Sequence, residues 1–323
     1  MNKHDLLALT YSIDSHHLSD NLVSRINSYD SYPYITSYSL FLHLCKDGYF
    51  RYNDSSLIRH LCRRQLDKLK PLDTVFLVLE ELSSFYSDLQ GISFPITLIV
   101  GRSDESFDNR FLFLVNDRRI SHIFAQNNEI IDHPKVTSIP LGLENVGWVS
   151  LDNPTNRIDL LNQSMKKSLP FIGSTNKILS SFNVESNYTK RHEALLILKK
   201  LDKSRVTLYE FPSVHDATSQ SLFYLEIAKH QFTACPHGNG VDTHRLWQTL
   251  YLGGVPITVW HPVFSSFQDL GILFIQCWQE LDTLDLDLMY KQLIFQRNLD
   301  KLTLRYWFAY IKRVKQELGK LAS

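Results

Sequence analysis

The sequence is poor in cysteine and has no excess of charge of either sign. Its four cysteines, Cys45, Cys62, Cys235 and Cys277, lie far apart in 323 residues, and none forms a C-x-x-C pair. This spacing argues against a zinc ribbon or a disulfide scaffold and is typical of a reducing compartment. Basic and acidic residues both number 34, so no overall charge attracts the chain to nucleic acid.

The histidines and acidic residues also lack the spacing of a metal site. None of the 13 histidines falls in an H-x-x-x-H or H-E-x-x-H pattern, the arrangement that places two ligands on one helix face. Asp285 and Asp287 mimic the D-x-D of metal-dependent sugar transferases, but a helix start rich in aspartate explains them better. We therefore expect no metal and no cofactor.

Long apolar runs are absent as well. No stretch approaches the roughly 18 apolar residues of a membrane-spanning helix. The apolar run at residues 6–9 is too short for a signal peptide. These absences favour a cytoplasmic protein.

Residues 232–259 are the most informative part of what is present. They predict a buried strand, a loop with Gly238 and Gly240, a helix capped by Asp242 or Thr243, and a second strand. A helix start behind a glycine loop has free N–H groups and a positive dipole end, and Arg245 lies in its first turn. The segment predicts binding of a phosphorylated ligand such as a nucleotide. A plain strand–helix–strand turn with glycines for packing is the alternative.

Several motifs carry a family resemblance. The first is Cys235-Pro-x-Gly-x-Gly-x-Asp-x-x-Arg245-Leu-Trp, followed by Gly254-Val-Pro-Ile257. Earlier segments, in chain order, are Phe124-Ala-Gln-Asn127, His133-Pro-Lys-Val136, Ile139-Pro-Leu-Gly-Leu-Glu-Asn145, and Phe182-Asn-Val-Glu-Ser-Asn187 with Arg191. Together these segments, within about residues 75–280, resemble the donor-side signature of exostosin-like glycosyltransferases of the bacterial type.

The resemblance implies a GT-B architecture, in which two Rossmann-like domains face a central cleft and the C-terminal domain holds the donor. It also implies glycosyl transfer with inversion, without a metal, from a nucleotide-sugar donor to a glycan or glycolipid acceptor. Position 248 departs from the family, which usually has glutamate where this chain has Gln248. Glutamine can accept one hydrogen bond and donate another, whereas a carboxylate only accepts. The departure leaves two possibilities open: the donor is atypical, or the protein binds it more weakly.

The expected donor-binding residues combine the glycine loop with an earlier segment. Arg191 is implied to lie near the donor phosphates; a surface arginine at a helix start is the alternative. Ser174 and Thr175 would end a strand and either touch the donor or turn the chain. The full set is Ser174, Asn187, Arg191, His237, Gly238, Asn239, Gly240, Asp242, Thr243, Arg245 and Gln248.

Inversion needs a base that takes a proton from the acceptor hydroxyl. Asp104 follows a predicted strand at residues 96–100 and is the first candidate, with Glu144 second. A turn or cap aspartate is the ordinary alternative. Glu80 and Glu81 are further carboxylates, and His133 before Pro134 is expected to be structural.

Strands alternate with helices, which predicts an α/β fold with parallel sheets. We expect an acceptor-side domain at residues 1–150, a linker at 151–167, a donor-binding domain at 168–290 and C-terminal helices at 291–323. Predicted strands lie at residues 6–11, 75–79, 96–100, 136–141, 169–173, 206–211, 232–235, 255–260 and 272–275. Predicted helices lie at residues 57–69, 190–201 and 220–229, besides the one that begins at Asp242.

The C-terminal helix has two possible uses. Its apolar stripe consists of Leu304, Trp307, Phe308, Ile311, Val314 and Leu318, and its flank is basic. Such a helix can lie on the inner face of a membrane as a peripheral contact or pack across both domains.

The sequence therefore favours an inverting glycosyltransferase. Two alternatives stay open: transfer of a phosphosugar or pentose from a non-nucleotide donor, and a non-catalytic module that binds a sugar or nucleotide.

Overall fold

The computed structural model describes residues 35, 50–52, 69–101, 103–143, 161, 163–164, 173–210 and 217–322. The predicted strand at residues 6–11, nearly all of the predicted helix at 57–69 and of the predicted strand at 169–173, most of the predicted linker, and Glu144 lie outside these residues. The division into domains at the stated boundaries stays a prediction.

The N-terminal part forms one parallel sheet of five strands in chain order. The strands are β1 (Phe50–Tyr52), β2 (Thr74–Val78), β3 (Ile96–Gly101), β4 (Ile120–Ala125) and β5 (Val136–Ser138). Helices α1 (Leu82–Asp88) and α2 (Leu112–Val115) connect them. Every residue of β3 is buried, as expected of a parallel strand covered on both faces.

The C-terminal part forms a second parallel sheet, in the order β10-β9-β8-β6-β7. Its strands are β6 (Thr175–Ser180), β7 (Val206–Leu208), β8 (His230–Ala234), β9 (Val255–Val259) and β10 (Leu273–Ile275). Its helices are α3 (Tyr188–Lys200), α4 (Ala217–Lys229), α5 (His244–Tyr251) and α6 (Leu286–Phe295). The order reverses between β6 and β8, and ligands of open parallel sheets bind at the carboxyl ends of the strands at such a point.

The prediction that Ser174 and Thr175 end a strand is wrong. Thr175 begins β6, which ends at Ser180. The apolar residues before Gly173 suggested a strand, but Ile178 and Leu179 are the residues that enter the core and pair with β7 and β8. The carboxyl end of this strand therefore leads into Ser181 and Phe182, and Ser174 lies at the opposite end.

The C-terminal helix α7 (Leu304–Ala322) closes the structure across both sheets. Leu304, Trp307 and Ile311 of its apolar stripe are buried. The ring of Trp307 lies 6.1 Å from that of Phe267 in the C-terminal part, and Tyr310 lies 6.5 Å from Phe124 of β4. The packing alternative predicted for this helix is thus the observed one. Among the described residues, no helix is long and apolar enough to cross a membrane.

One buried carboxylate joins the two sheets. Asp242, which precedes α5, accepts hydrogen bonds from the backbone N–H of Leu141 at 2.9 Å and from Trp247 Nε1 at 2.8 Å. Its own N–H donates to Asn127 Oδ1 at 2.9 Å. Asn127 follows β4 with a φ of 46°, a left-handed conformation that asparagine tolerates better than most residues. The start of α5 is therefore anchored to the N-terminal sheet.

Asp242→Asn should destabilise this junction. An asparagine offers one acceptor to two N–H donors, so a buried N–H is left unpaired at a cost of about 1–3 kcal/mol. Burial raises the pKa of Asp242 from 3.8 to about 7. Because this pKa is higher in the folded state than in the unfolded state, protonation of Asp242 stabilises the fold. This contribution is full below pH 3.8 and is lost as pH rises through about 7.

The difference in unfolding free energy between wild type and Asp242→Asn should therefore be largest near pH 3.8 and should decrease toward neutral pH. Denaturant unfolding across this range measures it. Asp132→Asn is the matched control, because Asp132 is exposed with a φ of 58°. A pH-independent difference would contradict the assignment.

Candidate functional site

A cleft of about 290 Å³ lies at the carboxyl ends of both sheets. The N-terminal part contributes Asp104 and Leu141, and the C-terminal part contributes the remaining lining residues. These are Phe182, Asn183, Ser186, Arg191, Cys235, Pro236, Gly238, Asn239, Gly240, Asp242, Thr243, His244, Arg245 and Gln248. The cleft thus lies at the reversal of strand order between β6 and β8.

The two loop glycines allow close approaches that a side chain would prevent. A Cβ on Gly238 would lie 2.7 Å from Arg191 Nη2. A Cβ on Gly240 would lie 3.1 Å from both Asn127 Nδ2 and the Asp104 carbonyl oxygen. The loop can therefore pack against Arg191 on one side and against the N-terminal part on the other.

Arg191 is held by backbone carbonyls. Its Nε donates to the His237 oxygen at 3.2 Å and its Nη1 to the Asn183 oxygen at 2.7 Å. Its Nη2 has no partner among the residues that the structure describes. Burial lowers the pKa of the guanidinium below its usual value, although an arginine stays protonated at neutral pH. The site thus holds a partly desolvated cation with a donor to spare.

Arg245 is held equally firmly. Its Nη1 donates to the Ser181 oxygen, and its Nε donates to Gln248 Oε1 at 3.0 Å. The guanidinium carbon lies 4.1 Å from the ring centroid of Phe223, a cation–π contact. Burial lowers its pKa to about 10, so it remains charged at neutral pH while part of the residue faces the cleft.

Thr243 occupies the cap position of α5 without capping it. The residue is 9% exposed, and its hydroxyl has no hydrogen-bond partner in the described part of the chain. Thr243 thus lines the cleft with a hydroxyl that is sealed from solvent and has no partner among the described residues.

Asp104 lies on the other wall, after β3. Its Oδ2 accepts a hydrogen bond at 3.1 Å from Nδ2 of Asn239, which belongs to the glycine loop. The residue is exposed and lines the cleft, so the N-terminal part places an acidic side chain beside the loop. The other base candidates that the structure describes have local partners: Glu80 accepts from Ser103 Oγ at 2.7 Å, and His133 Nδ1 from the Lys135 N–H at 3.2 Å.

The structure does not bring every expected donor residue to the cleft. Ser174 lies at the amino end of β6, away from the lining residues. Asn187 caps α3 and donates to the Gly238 oxygen at 2.7 Å, so it holds the loop from behind. His237 Nε2 donates to the Val259 oxygen at 3.0 Å, and burial lowers its pKa to about 4. The remaining expected residues, Arg191, Gly238, Asn239, Gly240, Asp242, Thr243, Arg245 and Gln248, all line it.

Several residues in or beside the cleft were not among the expected site residues. Phe182 and Asn183 line the cleft and lie inside a recognised motif, so the motif could have indicated them. Phe223, under Arg245, lies in α4, and nothing in its sequence pattern distinguishes it from a core residue. Cys235 lines the cleft, and burial raises the pKa of its thiol to about 12.

Asp285 and Asp287 lie at the start of a helix, as predicted. Asp285 caps α6 by accepting from the Leu288 N–H at 3.0 Å. Asp287 Oδ1 accepts from Asn176 Nδ2 at 3.4 Å. In the described ranges, no group of three or more potential ligands could hold a metal ion.

The sequence matches no protein-family model, and no curated protein sequence is significantly similar to it. Among solved structures it is similar to two α,α-trehalose-phosphate synthases. The enzyme from Burkholderia multivorans matches with a TM-score of 0.48 and 12% identity over 90% of this chain and 79% of that chain. The UDP-forming enzyme from Burkholderia xenovorans matches with a TM-score of 0.48 and 13% identity over 88% and 83%. Both likenesses are distant. The two facing parallel sheets and the closing helix agree with the predicted α/β, GT-B-like class.

Proposed function

We propose that this protein is a glycosyltransferase that binds a nucleotide-sugar donor in the cleft and transfers the sugar, with inversion, to a glycan or glycoconjugate. The observation that carries the proposal is the convergence of two half-buried arginines and the start of α5 at the carboxyl ends of the C-terminal sheet. Preorganised donors of this kind stabilise charge that develops on a leaving phosphate. The resemblance of the motifs to exostosin-like enzymes points to the same chemistry.

The arginines have the right properties for that role. Their orientations are fixed by carbonyl oxygens and by Phe223, so little reorganisation is needed when charge develops. Their desolvation strengthens attraction to an anion, since electrostatic interactions weaken in water. A diphosphate at this wall would replace part of the solvation that burial removes.

The transfer step requires one base and one leaving group. In the proposal, Asp104 takes the proton of the acceptor hydroxyl as that oxygen bonds to the anomeric carbon. The bond from this carbon to the phosphate oxygen breaks on the opposite face, and the nucleoside diphosphate leaves with the electron pair. The exposed position of Asp104 in the cleft, on the N-terminal part and separate from the two arginines of the C-terminal part, supports this division of roles.

One observation favours a second candidate, a donor without a ribose at this position. Arg245 takes one of the two acceptor positions of the Gln248 amide oxygen, so this residue can accept fewer bonds from ribose hydroxyls than a carboxylate could. A phosphosugar or pentose donor of non-nucleotide type would suit it. A thermal-shift panel of nucleoside diphosphates, nucleotide sugars and sugar phosphates separates these donors, and turnover separates both from a binding module. Inversion is tested by the anomeric configuration of the product by NMR.

Arg245→Ala should abolish transfer while leaving the fold intact, with a loss of at least about 100-fold in kcat/KM. Arg245→Lys should rescue only part, because a lysine keeps the charge but not the planar fork. Steady-state kinetics and circular dichroism measure activity and fold, and the exposed Arg118→Ala is the matched control. Near-normal donor affinity and turnover in Arg245→Ala would refute the phosphate assignment.

Asp104→Asn should lower turnover by roughly two to four orders of magnitude, the usual share of general-base catalysis. Donor affinity should barely change, because the donor contacts lie on the other wall and asparagine can still accept from Asn239. Calorimetric donor binding beside kinetics tests this. Asp108→Asn, in the same loop, is the control. If turnover survives, or binding falls as far as turnover, Asp104 is a structural turn residue and Glu144 is the next candidate.

Incubation with EDTA should leave activity largely unchanged, because the described cleft residues include no set of metal ligands. Activity lost on chelation and restored by manganese or magnesium would contradict a metal-independent reaction and return attention to Asp285 and Asp287.

A further inference from the structure

The orientation of one buried amide in the cleft determines what kind of ligand group it can meet. Gln248 lies one turn after Arg245 on the same face of α5 and is 4% exposed. Arg245 Nε and the Gln248 amide are 3.0 Å apart. An arginine nitrogen only donates, so the atom of Gln248 that faces it must be the oxygen. The chemistry of the pair thus fixes the amide against a flip.

The amide nitrogen then lies on the other branch of the side chain. Gln248 lines the cleft, and its Nε2 has no partner in the described part of the chain. Among the described residues, this nitrogen is not one of the polar atoms that are both sealed from solvent and without a partner, so it is accessible from the cleft. Its two N–H groups are therefore available to a molecule in the cleft.

Two guanidinium groups line the same cleft as this nitrogen. They belong to Arg245 and to Arg191, whose Nη2 has no partner among the described residues. An N–H donor beside two cations fits a ligand that presents several acceptor oxygens, as a diphosphate does.

We propose that Gln248 determines ligand specificity by donating an N–H hydrogen bond to a phosphoryl oxygen of the bound donor while its oxygen holds Arg245. The inference rests on the proposed function and adds that Gln248 is a hydrogen-bond donor, not an acceptor, toward the ligand. A residue with only acceptors at this position would hold Arg245 equally well but would turn an acceptor toward the phosphate.

Gln248→Glu separates the two tasks. A carboxylate accepts from Arg245 Nε at least as well as an amide, so the fold and melting temperature should be kept or raised. It has no N–H for the ligand and adds a negative charge beside it. The Kd of inorganic pyrophosphate, measured by calorimetry on the full chain, should therefore rise by about tenfold or more.

Gln248→Met guards against a folding defect in the glutamate variant. Methionine has a similar length and no N–H donor, so it should weaken pyrophosphate binding by a smaller factor of roughly three to ten. A uridine titration provides the opposite control, since uridine offers hydroxyl donors and no phosphate. Neither substitution should tighten its binding.

Three results would overturn the inference. Pyrophosphate binding at the wild-type level in Gln248→Glu would show that Gln248 only holds Arg245, and the same result in Gln248→Met would show that neither contact of Gln248 matters for binding. Tighter uridine binding in Gln248→Glu would show that position 248 faces hydroxyl groups. If the wild-type protein does not bind pyrophosphate, the anion site of the proposed function fails together with the inference. If the wild-type protein binds pyrophosphate and both variants bind it equally well, only the inference about Gln248 fails and the anion site stands.

Discussion

The site depends on the buried carboxylate of Asp242. Its two oxygens accept N–H groups from different parts of the molecule, Leu141 of the N-terminal part and Trp247 of α5. These donors offset part of the hydration that the carboxylate loses, while burial still raises its pKa to about 7. The bonds therefore hold the first turn of α5 at a set place relative to the N-terminal sheet. The presence of Arg245 and Asp104 in one cleft follows from this anchor.

The two arginines show how the C-terminal sheet prepares a cationic wall. Arg191 is held by the carbonyls of Asn183 and His237, and Arg245 by Ser181, Gln248 and Phe223. Neutral partners orient a guanidinium without cancelling its charge, whereas a carboxylate would neutralise it. Burial lowers the pKa of both groups, which reflects a solvation deficit that an anionic ligand can relieve.

Much of the fold and of the donor loop could be predicted from the sequence. The strands at residues 232–235 and 255–260 and the helix after Asp242 appear within a few residues of their predicted bounds, because hydrophobic period and glycine breaks are local signals. The sequence predicts β6 too early, at residues 169–173, because the first half of this strand is polar. Its identity as a strand depends on pairing with β7 and β8, which no local pattern encodes.

The sequence by itself determined the α/β class, the glycine loop before α5 and the residue types of an anion site, since each depends on neighbours in the chain. Only the tertiary structure decided the roles. It placed Asn187 and His237 behind the loop and moved Ser174 to the far end of its strand. It also made Asp242 an anchor to Leu141 across 101 positions in the chain. Those outcomes depend on which residues of two separate sheets meet, and sequence spacing carries no information about such long-range contacts.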